Sequence, residues 1–183
     1  IPMDVLNAAR TYRVCFRALP ERRPYFPELG PLQTKDYPFQ PVDFSHDVHA
    51  YMLADTHSRI DAPCRAASCF GDQLDLLILN GDIPAESKAA EDIRAIYDIT
   101  SRVTGGQLPV VFARGNHDYR GRLATELPDY IGTRNSETYF TFRFGCLWGI
   151  CLDCGEDKDD ADAEYGGLVD CHDMRLAETA YLK

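Results

Sequence analysis

The chain has 183 residues, of which 45% are hydrophobic and 26% are charged, so it can build one compact domain but not two full ones. Its formal net charge of -10 argues against nucleic acid as a partner, because binding a phosphate backbone needs a basic surface. No apolar run reaches the roughly 18 residues of a membrane segment. The seven cysteines are an odd number, which argues against a disulfide framework and favours a cytoplasmic location.

The first 44 residues differ in composition from the rest. Six of the eleven prolines fall within residues 20–41, which excludes a long helix or a central strand and indicates a linker. Before it, Thr11 to Phe16 alternates like a strand, entered by a turn at Leu6-Asn7. Leu6 and Tyr12 resemble the closing-strand pattern of fibronectin-like β-domains. Residues 1–44 are therefore predicted to be the tail of a preceding β segment plus a Pro-rich linker.

Residues 45–183 alternate regularly between apolar runs and polar clusters, which predicts a mixed α/β domain. Strands separated by helices form a parallel sheet. The predicted strands of this sheet are Val48–Ala54, Leu74–Leu79 and Val110–Ala113, with a helix over 86–104 before the third. An antiparallel hairpin added to the sheet is predicted at 138–144 and 147–153, and a last helix at about 170–182.

Each strand of the predicted parallel sheet ends in a polar cluster. Side chains that follow parallel strands converge at the carboxyl edge of the sheet, where ligands bind. The clusters supply Asp55, His57, Asp82, Asn116 and His117. This mixture of oxygen and nitrogen donors suits borderline divalent metals, and a carboxylate such as Asp82 can bridge two ions. Asp-x-His or Gly-Asp alone is commonly only a turn, so the prediction rests on all three clusters in this order.

The three blocks Asp55-Thr56-His57, Gly81-Asp82 and Gly115-Asn116-His117-Asp118 resemble those of the calcineurin-like metallophosphoesterases. The resemblance covers residues 47–183 and implies a β-sandwich flanked by helices. It implies two divalent ions, of iron, manganese or zinc, with Asp55 and His57 on the first, Asp82 bridging, and Asn116 on the second.

The same resemblance implies a reaction. A hydroxide held between the metals attacks the phosphorus of a phosphodiester or phosphomonoester, while His117 faces the substrate as the catalytic residue. The resemblance implies no further cofactor. The expected partner is a phosphate-ester substrate.

The family pattern contains three more metal-binding histidines after His117, and this chain has only His172 there. The domain is therefore expected to be truncated before the last metal-ligand strands, with the second half missing or supplied by a partner chain. The alternative from another functional class is a non-catalytic binding or scaffold module that keeps the fold with an incomplete metal site.

Other polar features are interpreted as structural. His46 and His49 are predicted to be ordinary surface or core histidines, because polar residues usually find local partners. The acidic run 156–164 lacks the glycine and glutamate of a calcium loop and is predicted to be a solvated loop. Cys151 and Cys154 lack the second cysteine pair of a zinc ribbon.

Overall fold

The computed structural model describes residues 1–133 and 137–183. The chain divides into two compact units, Ile1–Pro41 and Val42–Lys183.

The first unit contains one short helix and a two-stranded sheet. Helix α1 spans Met3–Ala9, so the turn predicted at Leu6-Asn7 is wrong. The predicted strand is confirmed as β1, Thr11–Phe16. It pairs antiparallel with β2, Gln33–Pro38, from the stretch interpreted as a linker. The prolines permit this strand because, among the described residues, β1 is its single neighbour and Pro38 stands at its end, where no ladder donor is needed.

The second unit is built on the predicted parallel sheet. Its strands are β3 (Ala50–Leu53), β4 (Leu76–Asn80) and β5 (Val110–Ala113), in the order β3-β4-β5. The first two start later than predicted because a side chain interrupts the ladder. The Asp75 carboxylate accepts the His49 backbone N–H at 2.9 Å, so regular pairing begins only at Ala50 and Leu76.

Helices pack on this sheet and close the core. Helix α2 spans Asp61–Ala67, and α3 spans Ala90–Thr104. Helix α3 starts four residues later than predicted because Asp92 accepts the backbone N–H groups of Lys88 and Ala89 and so caps the helix there. The buried core combines residues of the sheet, of α3 and of the segments that follow β4 and β5: Leu53, Leu77, Leu79, Ile83, Ile93, Ile96, Ile99, Leu123 and Leu127.

The remaining elements follow the sheet in the chain. Helix α4 spans Leu127–Ile131, β6 spans Phe140–Phe144, β7 spans Leu147–Cys151 and α5 spans Cys171–Tyr181. Strands β6 and β7 form the predicted antiparallel hairpin. Their predicted addition to the parallel sheet is wrong, because in the described residues they form a separate two-stranded sheet. No helix of the described residues is both long and apolar enough for a membrane span.

The central position of α3 in the core leads to a stability prediction. Ile99 is fully buried, so Ile99→Val should lower the free energy of unfolding by about 0.5–1.5 kcal/mol. Ile150→Val makes the same chemical change at a side chain that is 40% exposed, and its effect should be smaller. Urea denaturation of both variants measures the difference, and equal effects would contradict this packing.

Candidate metal centre

The three polar clusters lie at the carboxyl edge of the parallel sheet, directly after β3, β4 and β5. Three of the predicted ligands have a positive φ: Asp55 (53°), His57 (46°) and Asp82 (54°). This left-handed conformation is strained for residues other than glycine, and such strain concentrates at functional sites. The surrounding hydrogen bonds must therefore hold these residues in place.

Backbone hydrogen bonds connect the first cluster to the second. The N–H of Asp55 donates to the carbonyl of Gly81 at 3.2 Å, and the N–H of His57 donates to the carbonyl of Asp82 at 3.0 Å. Between them, the buried Thr56 hydroxyl donates to the Ile83 carbonyl at 2.9 Å. The loop of Asp55 and His57 is thus fixed to the loop that carries Asp82.

Asp118 connects the second cluster to the third. Its Oδ2 accepts the N–H groups of Asp82 at 3.0 Å and of Gly115 at 2.8 Å. Asp118 is fully buried. Burial raises the pKa of its carboxyl to about 6, although the two N–H donors act in the opposite direction. Asp118, the last residue of the third block, therefore connects the loop that carries Asp82 to the loop that begins at Gly115.

Glycine is needed where these two loops touch. A Cβ at Gly81 would lie 2.8 Å from the Gly115 Cα, and a Cβ at Gly115 would lie 2.7 Å from the Asp82 nitrogen. Gly81 also has a φ of 82°. The glycines of both blocks thus allow the close approach that brings Asp82 to the third loop.

Three donor side chains converge at the centre of this edge. His57, Asp82 and His117 each offer one donor atom within 4.8 Å of the others. The rings of His57 and His117 meet edge to face, 4.4 Å apart, and the Asp82 Oδ1 accepts the His117 backbone N–H at 2.8 Å. Carboxylate oxygen with imidazole nitrogen fits a borderline divalent ion, so the residues present fit a metal centre.

Asn116 lies beside Asp82 and can take two orientations. In one, its Nδ2 donates to Asp82 Oδ2 at 3.1 Å and its Oδ1 accepts from Arg120 at 2.9 Å. The opposite orientation sets the amide oxygen against the carboxylate oxygen and the amide N–H groups against the Arg120 guanidinium, so the first orientation is the one that these neighbours satisfy. Asn116 thus lies within hydrogen-bond distance of Asp82, next to the three converging side chains.

Asp55 is the most exposed of the predicted ligands. Its side chain is 76% exposed, and its Oδ1 lies 3.6 Å from His57 Nε2. His172 lies elsewhere, exposed in the first turn of α5, with its backbone N–H donating to Asp160 at 2.9 Å. The structure thus brings Asp55, His57, Asp82, Asn116 and His117 to one edge and leaves His172 out.

An ion pair that the sequence does not predict lies at the rim of this centre. Arg120 Nη1 lies 3.2 Å from His117 Nε2, and Arg120 pairs through two N–H groups with Glu156 at 3.1 Å. Glu156 is buried, so the prediction of a solvated loop is wrong at the first residue of the acidic run. Tyr165, which follows the run, is also buried and donates to Asp157 at 2.7 Å.

A known family model matches most of the chain. The family model described as calcineurin-like phosphoesterase matches residues 48–177. The chain belongs to the calcineurin-like phosphoesterases. The suspected family is therefore confirmed, and so is the mixed α/β class of its fold.

This calcineurin-like phosphoesterase also resembles a solved structure at low sequence identity. It is similar to the crystal structure of the phosphopantetheinyl hydrolase (PptH) from Mycobacterium tuberculosis, with 16% identity and a TM-score of 0.37. The match covers 57% of this chain and 41% of that one, so the chain spans less than half the length of this relative. The comparison with curated proteins gave no match.

Proposed function

We propose that this protein is a phosphohydrolase that cleaves a phosphodiester or phosphomonoester with two divalent ions. The supporting observation is the convergence of His57, Asp82 and His117, with Asn116 beside Asp82, in a protein of the calcineurin-like phosphoesterase family. In this proposal Asp55 and His57 hold one ion, Asp82 bridges both, and Asn116 holds the second. When bound, two such ions supply Lewis-acid activation of the phosphoryl group and of the attacking water.

His117 is the proposed catalytic residue. Its Nδ1 lies 2.9 Å from the Ala85 carbonyl; a proton on Nδ1 makes this a hydrogen bond and leaves Nε2 as the reactive atom. Nε2 faces Arg120 at 3.2 Å. The Arg120 cation attracts an anionic ester to this side of the centre. In its imidazolium form His117 carries a proton on Nε2 as well, and in that form it can stabilise the transition state or pass this proton to the leaving oxygen, which returns the ring to the neutral form.

Hydrolysis of p-nitrophenyl phosphate and of bis(p-nitrophenyl) phosphate tests the proposal and separates monoester from diester activity. The protein is assayed after chelation and again after reloading with manganese, zinc or iron. We expect turnover of one ester that requires the metal. Metal-loaded, folded protein that hydrolyses neither ester nor a wider panel of phosphate esters would favour the non-catalytic scaffold.

A substitution of His117 separates its proposed role from that of a ligand. His117→Ala should keep its bound metal while turnover falls by about 10²–10⁴-fold, the range of general acid–base catalysis. Elemental analysis and steady-state kinetics measure the two quantities. His172→Ala is the matched control, since His172 is exposed on α5, and it should change neither. Loss of metal from His117→Ala would make His117 a ligand instead.

A further inference from the structure

A second group of donor side chains lies at the other edge of the parallel sheet. His49 immediately precedes β3, Asp75 immediately precedes β4, and His46 lies three residues before His49. Each offers one donor atom within 4.8 Å of the others. The clusters of the candidate metal centre follow the same two strands at their carboxyl ends, so the four-residue strand β3 separates the two groups.

The backbone holds two of these donors in fixed positions. The His49 N–H donates to Asp75 Oδ2 at 2.9 Å, and the His49 carbonyl accepts the Asp75 N–H at 2.9 Å. Asp75 is only 3% exposed. A buried carboxylate is stable only with a cation or strong donors close by, and among the described ion pairs its partner is the His49 ring.

Each of the two histidines has a ring nitrogen that makes no hydrogen bond within the described part of the chain and can therefore bind a metal ion. His49 Nδ1 is buried and has no hydrogen-bond partner in the described residues. It lies 3.9 Å from Asp75 Oδ2, too far for a hydrogen bond. His46 Nδ1 lies 2.8 Å from the Asp47 carbonyl. A proton on that nitrogen leaves the lone pair of Nε2 free, which is the usual arrangement of a metal-binding histidine.

We propose that His46, His49 and Asp75 form a second metal site, which binds one divalent ion of the zinc class. Two imidazoles and one carboxylate are a common ligand set of zinc, with water in the fourth position. Two ligands of a tetrahedral zinc ion lie roughly 3.3–3.6 Å apart, so the 3.9 Å between His49 and Asp75 needs only a small contraction. His46 lies in an exposed loop and can adjust to the ion.

In this proposal the bound ion stabilises the fold. The ion ties the loop that enters β3 to the start of β4, where the ladder is interrupted by the Asp75 side chain. Bound zinc therefore stabilises the fold by mass action, since the unfolded chain does not hold the three ligands together. It takes no part in the reaction at the opposite edge.

Zinc binding by the full protein tests the proposal. Chelated wild type, His46→Ala and the control His172→Ala are incubated with zinc, desalted and analysed for metal and protein. We expect His46→Ala to hold one zinc per chain less than both other proteins and to show a smaller rise in Tm with zinc. Hydrolysis of the phosphate ester by His46→Ala, loaded with metal, should match wild type.

A second variant, Asp75→Asn, distinguishes the loss of a metal ligand from a loss of the fold. Asp75→Asn keeps an oxygen that accepts the His49 N–H but removes the charged ligand, so it should also lose one zinc. Circular dichroism checks the fold of each variant. The proposal fails if both variants fold and bind as much zinc as wild type. It also fails if Asp82→Ala loses all the zinc that wild type binds, because no zinc is then left for the second site. In either case His46 and His49 are ordinary histidines.

Discussion

Asp82→Ala should abolish both metal binding and hydrolysis. Asp82 is the proposed bridging ligand, and it is the carboxylate of the central donor group. Losing the ions removes several kcal/mol of transition-state stabilisation, which corresponds to a fall in turnover of about 10³-fold or more. The expected pattern differs from that of His117→Ala, which keeps its metal. Elemental analysis together with phosphatase kinetics distinguishes the two.

A structural defect would imitate this result, because Asp82 also orders the third loop. Its Oδ1 accepts the His117 N–H at 2.8 Å. Asp82→Asn keeps an oxygen acceptor for that bond while it removes the charge needed by the ions. Both variants should therefore lose metal, and Asp129→Asn, at an exposed aspartate, should not. If Asp82→Ala bound metal and hydrolysed substrate as well as wild type, the assignment of the centre would be wrong.

The sequence predicts those parts of the site that lie close in the chain to the strands of the sheet. Each cluster follows an apolar run within a few residues, and parallel pairing of β3, β4 and β5 brings the ends of the runs together. The roles proposed for these residues rest on the resemblance of the three blocks. The sequence pattern alone therefore predicts that His57, Asp82 and His117 lie at the same edge of the sheet.

The supporting contacts were not predictable because their partners are far apart in the chain. Arg120 and Glu156 are separated by 36 residues, and Arg114 and Asp153 by 39. Glu156 stands at the head of an acidic run that indicates solvent, and only the fold reveals that Arg120 reaches it. In the same way His49 and Asp75 become neighbours only through the register of β3 and β4.

Helix α1 and strand β2 show a different limit of sequence reasoning. A turn at Leu6-Asn7 and a linker through the prolines were reasonable local interpretations, yet residues 3–9 form a helix and 33–38 a strand. Proline excludes central strands more strongly than it excludes a strand with a single neighbour. The proline content of this segment therefore argues against a central strand, but it does not reveal that residues 33–38 pair with β1.

Asp153→Ala should lower the free energy of unfolding by about 3–5 kcal/mol, because it leaves a buried arginine without its counter-charge. Asp153 is fully buried, and Arg114 is only 10% exposed. Arg114 donates to Asp153 at 2.8 Å and stacks on the Tyr119 ring, with 3.6 Å to its centroid. The Tyr119 hydroxyl donates to the same carboxylate at 2.9 Å. Urea denaturation measures the loss, and Asp98→Ala, in an exposed pair with Arg94, should cost much less.

The double variant Arg114→Met/Asp153→Leu separates the cost of an unpaired charge from the value of the pair. Replacing both members of a buried ion pair by apolar side chains is often neutral, so the double variant should recover most of the stability lost in Asp153→Ala. Arg114 directly precedes Gly115, the first residue of the third block. If stability returns but metal binding does not, the pair is needed to position that loop. If the double variant is as unstable as Asp153→Ala, the pair itself stabilises the fold.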